Sequence, residues 1–197
     1  RKDGEKKLLD LLDGIKWTWV PYTRPGLDLT KAIKERIDKK EVDVIILGNH
    51  GLVVGGNNCS VAQNLMLEII NRCKKLPRYF LKPKKQNIIK LAEKFSMRNP
   101  NYEIIHGLAI DKTSFDYCNK INSILYPDQA VFLGKKMPCI SINTEFDDRK
   151  KISSYFVILE KQGVLISKKA DKKIDEMLRC HIEILLRTKP NINLNYL

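Results

Sequence analysis

Histidine is scarce in this sequence, with three copies in 197 residues, so any site built on imidazole must draw on His50, His106 or His181. Cysteine pairs are missing too. The five cysteines, Cys59, Cys73, Cys118, Cys139 and Cys180, are odd in number and scattered, with no C-x-x-C spacing, which excludes a disulfide framework and a paired-cysteine zinc site. They read as small apolar side chains or indifferent surface thiols in a reducing compartment. No apolar run approaches the roughly 18 residues of a membrane span, and no signal peptide opens the chain. The expectation is a soluble, cytoplasmic protein without a membrane partner. Acid is in deficit: 36 Lys and Arg against 23 Asp and Glu leave a net charge of +13. The basic clusters at Lys82, Lys84 and Lys85 and at Lys168, Lys169, Lys172 and Lys173 lack the interleaved aromatics on which a single-strand binder stacks bases. A solvated surface, or attraction of anionic sugars and phosphates, is therefore favoured over nucleic acid.

A hydrophobic content of 43% is enough for one ordinary domain to bury its own core without staples. The chain opens on Arg1 rather than Met and runs at once into Leu8, Leu9, Leu11 and Leu12, which reads as the middle of a protein. Residues 15–22, IKWTWVPY, predict a strand closed by the Pro25-Gly26 turn. Asp28 is the expected N-cap of a helix with Leu29, Ile33 and Ile37 on one face. The apolar run 42–47 predicts a strand buried on both faces, followed by the GNHG turn and a second strand at 52–54. Val61, Leu65 and Ile69 then mark a helix to about Arg72.

In the second half, Ile88, Leu91, Ala92 and Phe95 predict a helix ending before Asn99-Pro100. A shorter helix is expected over 114–124 and a strand over 129–133. A strand pair at 155–159 and 164–166 turns about Gly163, and a terminal helix spans 170–187. Laying residues 43–72 over 155–184 at an offset of 112 superposes Ile46 on Ile158, Leu47 on Leu159 and Gly51 on Gly163. This suggests a degenerate internal repeat of strand, turn, strand and helix. Position 50 of the first copy is His; its counterpart is Gln162.

His50 stands between short-side-chain neighbours where an apolar strand turns, and Gly48 and Gly51 allow close backbone approach. An imidazole there can lend a nitrogen to a divalent metal. A lone histidine is more often a hydrogen-bonded structural residue. His106, in a predicted turn, and His181, on an apolar helix face, are weaker candidates.

The segment WVPYTRPGLDL at 19–29, followed by VIILGNHGLVVGG at 44–56, resembles the class II aldolase and adducin family, especially its rhamnulose-phosphate-aldolase-like branch. LYPDQAVFLG at 125–134 and KQGVLI at 161–166 resemble the longer C-terminal regions of that branch. The resemblance implies an α/β fold with α/β/α layers around a central mixed sheet, formed by one domain over 1–197. Residues 1–75 would be its metal-site half and 76–197 its C-terminal half. It further implies that His50 is the third ligand of a divalent metal, zinc in the family pattern, that Asn49 orients its neighbour or contacts substrate, and that Tyr22 aligns with a recurring tyrosine. The family's upstream His-x-His pair and catalytic acid have no counterpart here, so the catalytic residues stay unassigned and an N-terminal part is expected to be absent.

Two functions are then weighed. The first is a metal-dependent aldolase that cleaves a carbon–carbon bond of a sugar or sugar phosphate through a metal-stabilised enediolate, in a homo-oligomeric, tetrameric assembly. The second is a non-catalytic, adducin-like assembly protein that keeps the fold without the metal.

Overall fold

A computed structural model describes residues 1–120, 123–141, 155–190 and 192–197. The chain divides into two compact units, Arg1–Lys75 with Asn193–Leu197, and Leu76–Ile192. Both are mixed α/β. Where one central sheet was expected, the described residues form two three-stranded mixed sheets. None of their helices is long and apolar enough to cross a membrane.

The first unit runs α1 (Gly4–Leu11), β1 (Trp17–Val20), α2 (Leu27–Ile37), β2 (Val44–Leu47), β3 (Gly51–Val54) and α3 (Cys59–Cys73). β1 pairs parallel with β2 and β2 antiparallel with β3, so α2 is the crossover that a parallel pair requires. Leu12, Val44 and Ile69 form its small core, joined by Leu8, Trp17, Ile46, Val54 and Leu65. Two expectations fail here. Asp28 is not the cap, because Gly26, at φ 125°, takes the N-cap position and Asp28 lies in the first turn, where its charge still favours the helix dipole. β2 is not buried on both faces: Val44 is buried, but Ile45, Ile46 and Leu47 are half-buried.

The second unit runs α4 (Lys85–Lys94), a 3-10 turn (Glu103–His106), α5 (Gly107–Ile110), α6 (Lys112–Asn119), a π-helical turn (Gln129–Leu133), β4 (Cys139–Ile140), β5 (Phe156–Leu159), β6 (Gly163–Ile166) and α7 (Lys172–Leu186). β5 and β6 are buried throughout. Ala92, Met97, Val157, Leu159 and Leu165 pack together against Leu91 and Phe95. The helix expected over 114–124 ends at Asn119, and residues 121 and 122 lie outside those described. The strand expected at 129–133 is a correction, since this segment is a π-helical turn. The buried Gln129 ties the start of this turn to the segment before it: its Oε1 accepts from Leu125 N at 2.8 Å and its Nε2 donates to Ser123 O at 3.3 Å, satisfying backbone groups upstream of the turn.

Among the described residues Asn99 Oδ1 is buried without a hydrogen-bond partner, whereas the buried Asp175, His106 and His181 each have one. Asp175, 1% exposed on the inner face of α7, takes two bonds from the Arg98 guanidinium, at 2.6 and 3.3 Å, and one from Asn101 N at 2.7 Å. His106 is buried at the end of the 3-10 turn, and its Nδ1 accepts from Val164 N at 3.1 Å. His181 is buried in α7 with its Nδ1 3.1 Å from the Tyr126 hydroxyl. Burial pushes both imidazoles down to about 4, although the Glu103 charge opposes the shift at His106.

The unfolded chain therefore binds more protons than the native one between the ordinary histidine value and about 4. Stability is complete above pH 6.5 and falls as the pH drops towards 4, by up to roughly 3 kcal/mol for each histidine. Thermal melts across this window should show the second unit losing stability with acid. Replacing His106 and His181 together by Gln should flatten that slope, whatever the variant's absolute stability.

Candidate functional site

The candidate site is the tip of the β2–β3 hairpin. Gly48 N donates to Val20 O at 2.9 Å, which ties the turn to the end of β1, and His50 N donates to Leu47 O at 3.1 Å, which closes it. Asn49 sits at φ 57° and Gly51 at φ 154°. An asparagine tolerates the first value better than most residues, and the second suits only glycine. At Gly48 the constraint is space: an added Cβ would lie 2.9 Å from Tyr22 N and 3.1 Å from the Trp19 ring. The β1 segment and the GNHG turn thus fit together because position 48 has no side chain.

His50 is exposed at this tip. Asn49 is half-buried, donating from Nδ2 to Asn195 O at 2.7 Å and accepting from Asn195 Nδ2 at 3.2 Å. Beyond β3, the Asn58 side chain caps α3 by accepting from Val61 N at 3.0 Å. Tyr22 is half-buried, with its backbone N against Gly48. Sequence reasoning missed the bond between Asn49 and Asn195, for no local pattern links residues so far apart in the chain.

Among the described residues no three His, Cys, Asp or Glu side chains gather in a group that could hold a divalent ion. His50 is one donor, where a tetrahedral zinc centre takes three or four from protein. The described residues do not by themselves fit a resident metal. His106 and His181 are buried in the second unit, each committed to a protein partner, which removes both as alternatives. The cysteines are free thiols; burial pushes Cys139 up to about 12 and Cys118 well above its ordinary value, so neither offers a ready thiolate.

Residues 6–76 match the family model described as the class II aldolase and adducin N-terminal domain. This is nearly the whole of the first unit's continuous stretch, and the match is to the family and not to a branch of it. Among curated proteins, 69 residues are 30% identical to an uncharacterised oxidoreductase, YuxG, of Bacillus subtilis (strain 168), covering 34% of this chain and 10% of that protein. The chain thus spans about a tenth of the length of the curated relative it matches. No solved structure matches the chain.

Gly48→Ala should lower the stability of the first unit by about 1–3 kcal/mol, because backbone must move to admit the methyl. Asn49→Gly keeps the left-handed turn and loses the exposed Asn195 bonds, so its cost should stay within about 1 kcal/mol. Equilibrium urea unfolding of the two variants, compared with the parent chain, measures the contrast.

Proposed function

We infer that the first unit belongs to an aldolase-type enzyme that breaks a carbon–carbon bond in a sugar or sugar phosphate, with His50 as one donor to a divalent ion. The observation that carries this reading is the coincidence of the family match over 6–76 with an exposed imidazole on a turn whose backbone is held at both ends. Family members typically bind a divalent metal. On this reading the other donors, and the catalytic acid, come from polypeptide beyond the described residues.

The chain's own contribution is positional. Gly48, Asn49 and Gly51 set where the imidazole leaves the hairpin, and Asn49 is placed beside it to orient it or to meet substrate. To touch substrate, Asn49 must release Asn195. The net charge of +13 favours an anionic substrate such as a sugar phosphate. The matching strand pattern of the two sheets supports reading the second unit as a degenerate copy in which Gln162 stands where His50 stands. The rhamnulose-phosphate-aldolase-like branch, zinc as the ion and a homo-oligomeric assembly belong to the same proposal. The oxidoreductase name belongs to YuxG, a tenth of which is matched, and does not enter it.

A second reading, an adducin-like assembly protein without metal, draws on the solitary state of His50 as a donor among the described residues. Metal analysis of the intact protein, purified without chelator, separates the two. The aldolase reading expects a divalent metal in stoichiometric amount, and roughly a tenfold or larger loss of it in His50→Ala, with the melting curves of variant and parent equal once both are freed of metal. Cleavage of ketose phosphates should stop on chelation. Metal that His50→Ala retains, or cleavage that chelation leaves untouched, rejects the role of His50.

A further inference from the structure

Residues 191–197 read NINLNYL, an alternation of asparagine with apolar side chains that suits an extended segment with one side turned inward. Burial follows the alternation: Ile192 is half-buried, Asn193 exposed, Leu194 buried and Asn195 exposed. From Asn193 onward the segment belongs to the first unit, although it follows the second in the chain. It is fastened at three successive residues. Lys2 N donates to Asn193 O at 3.0 Å, Leu194 is 9% exposed, and Asn49 Nδ2 donates to Asn195 O at 2.7 Å. Asn195 Nδ2 donates back to Asn49 Oδ1 at 3.2 Å.

The last of these fastenings falls on the candidate site. Residues 44–67 contain no Lys, Arg, Asp or Glu, so the polar side chains that the GNHG turn offers a ligand are those of Asn49 and His50. Asn195 takes the first and leaves the second. His50 is exposed, while both ends of the Asn49 carboxamide are occupied.

What Asn195 presents to Asn49 is chemically specific: one carbonyl oxygen as acceptor and one N–H as donor. An α-hydroxy carbonyl compound presents the same pair, because its carbonyl accepts and its hydroxyl donates. Exchanging the oxygen and nitrogen of Asn49 would set donor against donor and acceptor against acceptor, so the two partners fix the orientation of its amide. Both bonds face solvent. A bond of that kind holds a contact by only roughly fivefold, and a ligand can displace it.

We propose that residues 193–197 form a latch on the His50 turn, in which Asn195 stands in for the α-hydroxy carbonyl end of a sugar ligand that displaces it from Asn49. The proposal rests on the reading that substrate binds at this turn. It adds how the turn is kept while unoccupied, and which end of the sugar meets Asn49. A latch lowers the apparent affinity of such a ligand in proportion to the fraction of molecules in which it is closed. Because Asn193 is fastened to Lys2, its release is also read outside the turn, at the Lys2 amide.

The test is an NMR titration of the intact protein, purified without chelator, with dihydroxyacetone phosphate as the smallest ketose phosphate and inorganic phosphate as the control. Dihydroxyacetone phosphate should speed hydrogen exchange of the Lys2 amide roughly threefold or more, and inorganic phosphate should leave it unchanged. Asn195→Ala removes one latch bond at an exposed position and keeps the fold; Leu194→Ala loosens the inner seat without touching Asn49. Each should bind dihydroxyacetone phosphate roughly threefold to tenfold more tightly than the parent, while inorganic phosphate binds all three alike. Equal affinity of the parent and Asn195→Ala for dihydroxyacetone phosphate, or a Lys2 amide that stays protected in the complex, overturns the latch and leaves the substrate reading in place. An equal gain for inorganic phosphate overturns the ligand class. If dihydroxyacetone phosphate binds neither the parent nor the two variants, the substrate reading itself fails and the latch fails with it.

Discussion

Both hairpins depend on a turn that ordinary backbone conformations cannot make. In each, one residue sits in the left-handed region, Asn49 at φ 57° and Lys161 at φ 59°, and a glycine follows two places later at φ 154° or φ 149°. The same bond closes the turn, from His50 N to Leu47 O and from Gln162 N to Leu159 O. A left-handed L-residue costs about 1–2 kcal/mol, so each turn persists because the strands on either side hold it. Everything proposed for the first unit rests on this constraint. It aims the chain so that His50 emerges at the tip, and it sets the Asn49 amide beside Asn195.

The two units use that hairpin under different cover. Around β5 and β6, helices and the Arg98 segment leave no strand residue exposed, and Asp175 and His106 find partners there: Asp175 with Arg98 and Asn101, His106 with Val164. Such a pair gives little net stability over an apolar core, yet losing one partner leaves an uncompensated charge or donor. Around β2 and β3 the cover is thin, and the imidazole reaches solvent instead of sealing an edge. One unit reads as a packed scaffold. The other carries the metal-donor candidate His50, exposed at the end of β3.

The elements were largely legible in the sequence because their signals are local. The β1, β2 and β3 runs, the α3 stripe of Leu65 and Ile69, and the α7 stripe of Ile174, Leu178, Ile182 and Leu185 appear where periodicity puts them. The misses share a cause. Gln129 is buried and bonds backbone groups four and six residues upstream, and the apolar run that it opens is a π-helical turn. Gly26 takes the cap expected of Asp28, and the turn expected at His106 is a 3-10 turn whose imidazole is buried against the hairpin beside it. Each outcome was decided by a partner that the local pattern does not name.

The sequence by itself determined the hairpins, the scarcity of imidazole and the uncharged stretch around His50, for these follow from residue types and their spacing. Only the tertiary structure decided that His106 and His181 are committed inside the second unit, that Asn49 bonds Asn195, and that the edge of β6 is closed by His106 and Arg98. Burial and hydrogen-bond satisfaction are properties of what surrounds a residue, and those surroundings are assembled from segments far apart along the chain.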